Sequence, residues 1–356
     1  MSGLALQIPL IGMGTQDFLI LLITALAGGA FGAALGALPA FIFTGFVVFL
    51  GEGLAILEGN LGGVGGIPAG EIATGITGVI GFGAITGPHI AFAGGVAASA
   101  YAGKKYPEMG PTEGYHFGKD ITYAFGTKPD ILAAGAVFGV DGVIINQVAA
   151  GLGLPLDTIA LTVFLSAVLV RVAFSYPLIG EPAGDGYLDM SPFERGEEQT
   201  ATDGGVERVR PATEPWLPHQ YEWAGVTVIG LVGGVLGAYI WLETGSFFLG
   251  YAISAMSLLF LNLGVEKIPV THHITLLGSS GAAIGAAAVS SPLVALLVGG
   301  IFGALAGLFG EVTQRVFYAH SGTHVDPPAM SITVMTVLIG VLYLIGLLPS
   351  SAYLGL

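Results

Sequence analysis

Long apolar runs dominate the chain, and their lengths predict helices that cross a membrane. A membrane-spanning helix needs about 20 mostly apolar residues, whereas a strand of a membrane β-barrel alternates polar and apolar positions. Continuous runs such as Phe18–Leu38 favour helices. The pattern therefore predicts an all-α polytopic membrane protein. Eleven spans are expected, at about residues 17–37, 39–57, 70–86, 88–103, 131–150, 157–178, 224–242, 245–263, 271–290, 292–310 and 329–348.

Prolines mark tight breaks between neighbouring spans. Pro39, Pro88 and Pro292 stand at such breaks, because proline can start a helix but cannot continue one. The two spans on either side of Pro88 are short. One of them is therefore open to a second interpretation, as a re-entrant or broken helix rather than a full crossing.

The composition narrows the classes of function. Charged residues make up 10% of the 356 residues, hydrophobic residues make up 53%, and there is no cysteine. Soluble domains carry about 25% charged residues, so the composition excludes a soluble enzyme, and the lack of cysteine excludes disulfides and thiol chemistry. A formal net charge of −14 argues against nucleic-acid binding. Nucleotide-binding and hydrolase motifs are absent, so we expect neither a cofactor nor an enzymatic activity.

Acidic charge is concentrated in one segment outside the spans. Residues 181–222 carry ten carboxylates and three arginines. An acidic surface that is poor in lysine suits a high-salt cytoplasm, where repulsion is screened over a few ångströms. It therefore predicts a halophilic archaeon as the source. The prolines of this segment indicate an extended structure along the surface, and its role is left open.

The positions of the basic residues predict an orientation. Three loops carry most of them: Lys104, Lys105, Lys119 and Lys128 in one loop, Arg195, Arg208 and Arg210 in the next long loop, and Arg315 in a third. Cytoplasmic loops are enriched in Lys and Arg, and with eleven spans these loops fall on the side of the N-terminus. We therefore expect a multi-pass protein of the cell membrane with a cytoplasmic N-terminus and an external C-terminus.

Two parts of the chain resemble each other. The stretch Leu26–Ala33 reappears as Leu231–Ala238, and the pairs Gly94-Gly95 and Gly299-Gly300 share the same shift. The expected organisation is a surface segment (1–16), a first five-span repeat (17–150), a linker helix (151–179), an acidic cytoplasmic loop (180–222) and a second five-span repeat (223–356). Because the linker adds a span, the two repeats are expected to be parallel, as in some transporters.

The strongest candidate site lies where the two repeats correspond. Ile67-Pro68 and Ile268-Pro269 align, and three residues after each proline stand Glu71 and His272. Pro68 and Pro269 predict helix breaks, and broken helices present their ends to ions or substrates in transporters. A carboxylate and an imidazole near one axis could bind a cation or relay protons. The competing interpretation is that both residues lie at a water interface, with Glu71 favoured there by the helix dipole.

Four further polar residues are candidates for the pathway. Glu52 and Asp141 fall within apolar spans, where a charge is costly enough to indicate function. Arg171 is a possible partner of Asp141, or else its side chain reaches back to the membrane surface. His89 follows Pro88 at a turn, where an interfacial histidine is the competing interpretation. The type of any bound metal is left unknown.

The leading hypothesis for function is a secondary transporter or channel for a small solute or ion, with its pathway between the repeats. One alternative is a non-transporting structural membrane protein, and another is an intramembrane enzyme that modifies lipids. The expected partners are the lipid bilayer and the solute or ion. Glycines at four-residue spacing let helices pack closely in lipid and could also join the subunits of a homo-oligomer. Two such ladders are Gly28-Gly32-Gly36 and Gly299-Gly303-Gly307.

Overall fold

Ten α-helices of 13 residues or more build the part of the chain that the computed structural model describes, which is residues 8, 10–61, 74–111, 113–203 and 205–356. Mostly apolar runs form these helices, and prolines or an aspartate begin several of them. They are α1 (Thr15–Leu35), α2 (Ala37–Leu61), α3 (Ala93–Lys105), α4 (Pro129–Gly151), α5 (Thr158–Ala173), α6 (Trp223–Thr244), α7 (Phe248–Asn262), α8 (His272–Ala288), α9 (Pro292–Thr313) and α10 (Pro327–Leu344).

The all-α class that the sequence predicts is confirmed, with one small exception. Within the described residues, six helical segments are long and apolar enough to cross a membrane, and α5 and α7 are shorter apolar helices. The exception is a β-hairpin in which β1 (Glu198–Asp203) pairs antiparallel with β2 (Val206–Pro211). The six segments are 15–35, 37–60, 129–151, 223–244, 292–318 and 327–344.

The described part of the chain also contains three π-helical segments. They are π1 (Thr74–Gly81), π2 (Pro88–Phe92) and π3 (Gln314–Tyr318). π1 runs back along α2, because Thr77 donates a hydrogen bond to Glu52 at 3.1 Å and Thr44 donates one to the Thr86 carbonyl at 2.5 Å. A turn then leads into π2, which continues directly into α3.

Glycines allow α1, α3 and α4 to pack with their backbones in contact. A β-carbon on Gly29 of α1 would overlap the carbonyl oxygen of Gly135 in α4, and one on Gly94 of α3 would lie 2.5 Å from the carbonyl oxygen of Gly29. Small residues are the usual basis of such close packing between membrane helices. The same arrangement recurs among α6, α8 and α9, with Gly234, Gly299 and Gly278 as the contacting glycines.

Helices α2 and α7 pack against each other in opposite directions. In the first half of α2, a β-carbon on Gly45 would lie within 3 Å of Ala255 and Met256, at the middle of α7. Further along α2, Glu52 accepts a hydrogen bond from Ser246, just before α7 begins, at 2.6 Å. Residues that come later in α2 therefore meet residues that come earlier in α7.

Helices α5 and α10 form a second antiparallel pair. At the start of α5, the Asp157 amide donates a hydrogen bond to Thr336 of α10 at 3.0 Å. Near the end of α5, the Arg171 guanidinium donates one to Thr323, before α10 begins, at 2.8 Å. The two helices thus run past each other in opposite directions, like α2 and α7.

Four connecting segments fold together at one end of the bundle, and we call them the loop layer (residues 106–128, 174–222, 263–271 and 314–326). Glu214 pairs with Lys119, Gln220 exchanges two hydrogen bonds with the Val270 backbone, and Arg315 donates one to the Tyr221 carbonyl. All ten Lys and Arg residues of the chain lie in this layer or at the helix ends that enter it.

The acidic segment is folded, rather than extended along the surface as its prolines indicated. Arg208 and Arg210 of the hairpin are buried, and their guanidinium groups bond to backbone carbonyls of the segment 107–115. Five donors on a planar guanidinium can satisfy several carbonyls at once. The two arginines therefore attach the hairpin to the loop that joins α3 and α4.

Candidate functional site

A cavity with a volume of about 540 Å³ lies between helices of the bundle, and we call it the central cavity. Helices α2, α5, α7, α8 and α10 contribute to its wall, and residues from the loop layer and from the 3₁₀ turn Ala352–Leu354 line it as well. Its lining is mostly apolar and aromatic. The polar lining residues are Lys119, Asp120, Thr122, Asp157, Thr158, Tyr251, His272, Tyr318, His324, Asp326 and Tyr353.

On the side of the loop layer, a buried ion pair lies beside the cavity. Lys119 lines the cavity and its ammonium lies 2.7 Å from Glu214, with both side chains nearly inaccessible to solvent. His116 contacts the other carboxylate oxygen of Glu214 at 2.6 Å through its ring Nδ1. Burial by itself would raise the pKa of the Glu214 carboxyl, but Lys119 and His116 outweigh it and lower that pKa to about 2. Glu214 is therefore charged at neutral pH and holds Lys119 in place.

At the opposite end, Asp157 begins α5. Its carboxylate accepts a hydrogen bond from the Ala160 amide at 2.9 Å, which is the usual bond of an N-cap. Its second oxygen accepts one from the Tyr353 hydroxyl at 2.8 Å. Leu354, which follows Tyr353, also lines the cavity. Asp157 thus connects the start of α5 to the 3₁₀ turn.

Asp326 begins α10 in the same way. Its carboxylate accepts a hydrogen bond from the Ala329 amide at 2.9 Å, and the His324 ring lies 3.4 Å from its other oxygen. The two residues after Asp326 are Pro327 and Pro328, which have no amide hydrogen. The start of α10 therefore presents a carboxylate to the cavity and no free backbone donor in its first two positions.

Aromatic rings surround Tyr251 on the cavity wall. The ring centroids of Phe41, Phe82, Phe248 and His272 lie between 5.6 and 6.3 Å from that of Tyr251. Several of these pairs are close to perpendicular, the edge-to-face arrangement that aromatic quadrupoles favour. The cluster joins α2, the turn before α3, α7 and α8.

The structure places His272 in the cavity wall and leaves its predicted partner untested. His272 is the first residue of α8, as expected from Pro269 three residues earlier. Its side chain is 5% exposed, and among the described residues its ring Nδ1 has no hydrogen-bond partner. Pro68 and Glu71 lie outside the described residues.

Glu52 and His89 occupy separate positions in the bundle. Glu52 binds the hydroxyls of Thr77 and Ser246 and so joins π1 to the start of α7. His89 is buried in π2, and its ring Nδ1 has no hydrogen-bond partner among the described residues. Neither side chain lines the cavity.

Asp141 and Arg171 are not brought together. Arg171 is fully buried and donates hydrogen bonds to Thr323 and to the carbonyls of Leu178 and Phe317. It therefore does not pair with Asp141, and its partners lie in the loop layer. Its role is to hold the end of α5 to the segment before α10. Asp141 lies on α4, away from the cavity lining.

Several residues of the site escaped the sequence analysis, notably Asp157, Tyr251 and Tyr353. Of the residues in the site, two aspartates have a recognisable sequence pattern. Asp157 and Asp326 each precede an apolar helical run, which is the pattern of an N-cap. N-caps are common, however, and the sequence alone does not indicate that two of them share one cavity. Among the described residues, no three acidic or histidine side chains are grouped as metal ligands.

Nearly the whole chain matches the model of a known protein family. The model of a family described as "family of unknown function (DUF7973)" matches residues 11–356. No curated protein sequence and no solved structure matches the chain. Because the match covers nearly the whole sequence, the chain belongs to this family of unknown function, DUF7973.

Proposed function

We propose that the protein is an integral membrane transporter or channel that carries a small solute or ion through the central cavity. The observation that carries the proposal is the position of this cavity. It lies between α2, α5, α7, α8 and α10, and its lining includes the loop layer at one end and Tyr353 with Leu354 at the other. Ligand sites of transporters occupy such a central position between two halves of a bundle.

The contacts of the glycine trios support two five-helix halves, α1–α5 and α6–α10. Gly29, Gly94 and Gly135 meet in the first half in the way that Gly234, Gly278 and Gly299 meet in the second. This correspondence pairs α1 with α6, α3 with α8 and α4 with α9. It differs from the alignment expected from the sequence, which matched Gly94 to Gly299 and treated residues 151–179 as a linker.

The remaining two pairs support an inverted rather than a parallel arrangement. α2 packs antiparallel to α7, and α5 packs antiparallel to α10. Equivalent helices meet in this way when an axis in the plane of the membrane relates two inverted repeats. The N-caps Asp157 and Asp326 are then equivalent, one in each half.

An inverted arrangement also explains where the basic residues lie. π1 and α3 together make one interrupted crossing, which gives ten crossings in place of the eleven expected. The loop layer, with the basic residues, then lies opposite both termini. By the positive-inside rule this layer is cytoplasmic and the two termini are external, so the N-terminus lies on the other side from the one expected from eleven spans.

Labelling of single cysteines tests whether water reaches the cavity in the membrane. The natural chain has no cysteine, so Ala329→Cys in the cavity lining provides one reactive position. Val137→Cys is the matched control, because Val137 lies on α4, is 60% exposed and does not line the cavity. In sealed vesicles, a membrane-impermeant maleimide is expected to modify Ala329→Cys and not Val137→Cys.

The opposite result would identify a structural membrane protein. If Ala329→Cys is inert in vesicles yet reacts once the protein is unfolded, the cavity is sealed from water and carries nothing. Thr158→Cys places a second cysteine in the cavity lining, on α5, and so controls for a lack of labelling that is specific to the Ala329 position on α10. Inertness of both cysteines would overturn the proposal.

A further inference from the structure

We infer that the central cavity binds a small organic cation. This inference rests on the proposed function and names the class of substrate for the same site. It follows from four features of the cavity, which are its charge, the ends of two helices, its aromatic wall and two buried histidine Nδ1 atoms that have no hydrogen-bond partner among the described residues.

The charged residues of the cavity wall give it an acidic character. Asp120, Asp157 and Asp326 line it, against a single cation, Lys119. Glu214 already pairs with Lys119 at 2.7 Å, so the positive charge of Lys119 is neutralised locally. Three carboxylates therefore remain in a partly apolar cavity, where an opposite charge on a ligand interacts more strongly than in water.

The two helix ends at the cavity strengthen this preference for a cation. A bare helix N-terminus would attract an anion through its free amides. Here Asp157 and Asp326 accept hydrogen bonds from the amides of Ala160 and Ala329, and Pro327 and Pro328 have no amide hydrogen. Each helix end therefore presents a carboxylate to the cavity.

The size and the aromatic wall distinguish an organic cation from a metal ion. A volume of about 540 Å³ falls in the range of pockets for small organic ligands, about 300–1,000 Å³. The rings of Phe41, Phe82, Phe248 and Tyr251 line it, and aromatic faces attract substituted ammonium ions. Metal ions are bound instead by grouped oxygen or nitrogen ligands, and the described residues contain no such group of three.

Two histidines supply unused polar atoms in the wall. His272 and His324 are 5% and 1% exposed, and their Nδ1 atoms have no hydrogen-bond partner among the described residues. A buried polar atom without a partner costs free energy, so a polar group on the ligand is a natural partner for it. A hydroxyl or carbonyl substituent on the cation would fill this role.

Binding of a matched pair of probes tests the inference directly. Choline carries a quaternary ammonium and a hydroxyl, and 3,3-dimethylbutan-1-ol has the same shape without the charge. Isothermal titration calorimetry of the full chain in detergent would compare the two probes. We expect choline to bind one per chain, at least about tenfold more tightly than the alcohol, as expected for a cation that contacts aromatic faces and a carboxylate.

Asparagine variants identify the carboxylates. Asp157→Asn and Asp326→Asn keep the capping acceptor but remove the charge, so each should weaken choline binding at least about tenfold and leave the alcohol unchanged. Asp185→Asn, at an exposed position in the acidic segment, removes the same charge and should leave both affinities unchanged. If either N-cap variant fails to fold, Phe41→Leu replaces it and should weaken choline alone.

Two outcomes would overturn the inference. One is equal affinity for choline and the alcohol, which would indicate an apolar cavity without selection for charge. The other is an absence of choline binding by a protein whose Ala329→Cys form is labelled in vesicles. That second outcome would leave the proposed pathway intact and reject only the organic cation.

Discussion

Tyr353 donates a hydrogen bond to Asp157 at 2.8 Å, and this bond joins the 3₁₀ turn Ala352–Leu354 to the start of α5. The Tyr353 ring also packs against Phe248, with centroids 5.4 Å apart. Both Tyr353 and Asp157 line the cavity. The turn therefore forms part of the cavity wall at the end opposite the loop layer.

Removing the Tyr353 side chain should open that end of the cavity. A hydrogen bond to a charged group contributes about 1.5–3 kcal/mol, so Tyr353→Ala should speed labelling of Ala329→Cys by about tenfold or more. Tyr353→Phe keeps the ring contact and loses only the hydrogen bond, and should give a smaller increase. Equal labelling rates in all three proteins would show that the turn does not restrict access.

The glycine trios predict matched losses of stability in the two halves. Gly29→Ala and Gly234→Ala each place a β-carbon against the backbone of a neighbouring helix, and overpacking of this kind costs about 1–3 kcal/mol. Gly225→Ala is the control, because nothing lies within 4 Å of its β-carbon position in α6. Thermal unfolding in detergent should show lower midpoints for the first two variants only. A loss confined to one half would contradict their equivalence.

Glu214 should make the docking of the acidic segment sensitive to acid. Its pKa is lowered to about 2 in the folded protein, from 4.5 for a free glutamate side chain. Because folding lowers this pKa, the Glu214 carboxylate stabilises the docked segment fully above pH 4.5. This stabilisation is lost as the pH falls towards 2. Proteolysis of the acidic segment, measured between these values with an acid-active protease, should accelerate as the pH falls.

Glu214→Gln is the matched variant for this measurement. It removes the titrating group and leaves the Lys119 ammonium buried without its counter-charge, which costs about 3–5 kcal/mol when a buried pair is broken. Its acidic segment should therefore be cleaved readily at neutral pH, with little further change towards pH 2. A wild-type pH profile in this variant would show that another group controls the docking.

The positions of most helices were predictable from the sequence, whereas their grouping was not. Apolar runs mark α1 and α6, and their shared glycine pattern indicates that they correspond. The constant difference in residue number that aligns α1 with α6 does not hold for the later helices. Residues 106–128 join α3 to α4, but only residues 289–291 join α8 to α9. A constant shift therefore aligns Gly94 with Gly299, although the contacts match it to Gly278.

Hydropathy also cannot distinguish an interrupted crossing from two complete ones. Residues 70–86 and 88–103 are both apolar, so each qualifies as a span. The structure shows that the described part, π1, runs along α2 and turns at Thr86 before π2 and α3 begin. Only these contacts between distant residues support the proposed interruption.

The candidate site depended still more on tertiary contacts. His272 was predictable because a proline and a helix start stand close to it. An Asp141–Arg171 pair was plausible because the two residues were expected at similar depths in the membrane. The Arg171 guanidinium instead donates hydrogen bonds to the carbonyls of Leu178, Phe317 and Thr323. Asp157 and Tyr353 are far apart in the chain, so their hydrogen bond leaves no trace in the sequence.

Labelling of loop and terminal positions tests the inverted arrangement separately. Asp185→Cys lies in the loop layer, whereas Ser350→Cys follows α10 at the other end of the bundle. In vesicles of known orientation, an impermeant maleimide should reach Asp185→Cys only from the cytoplasmic face and Ser350→Cys only from the external face. Labelling of both from the same face would contradict the ten-crossing arrangement.

The most direct test of the pathway is the labelling rate of Ala329→Cys from each face of the membrane in turn. Oriented vesicles would receive the impermeant reagent on one side, with a quencher on the other. A cavity that carries solute between two inverted halves must exchange with both aqueous phases, so we expect labelling from the cytoplasmic face and from the external face. Labelling from neither face, or from one face only, would contradict a pathway through this cavity.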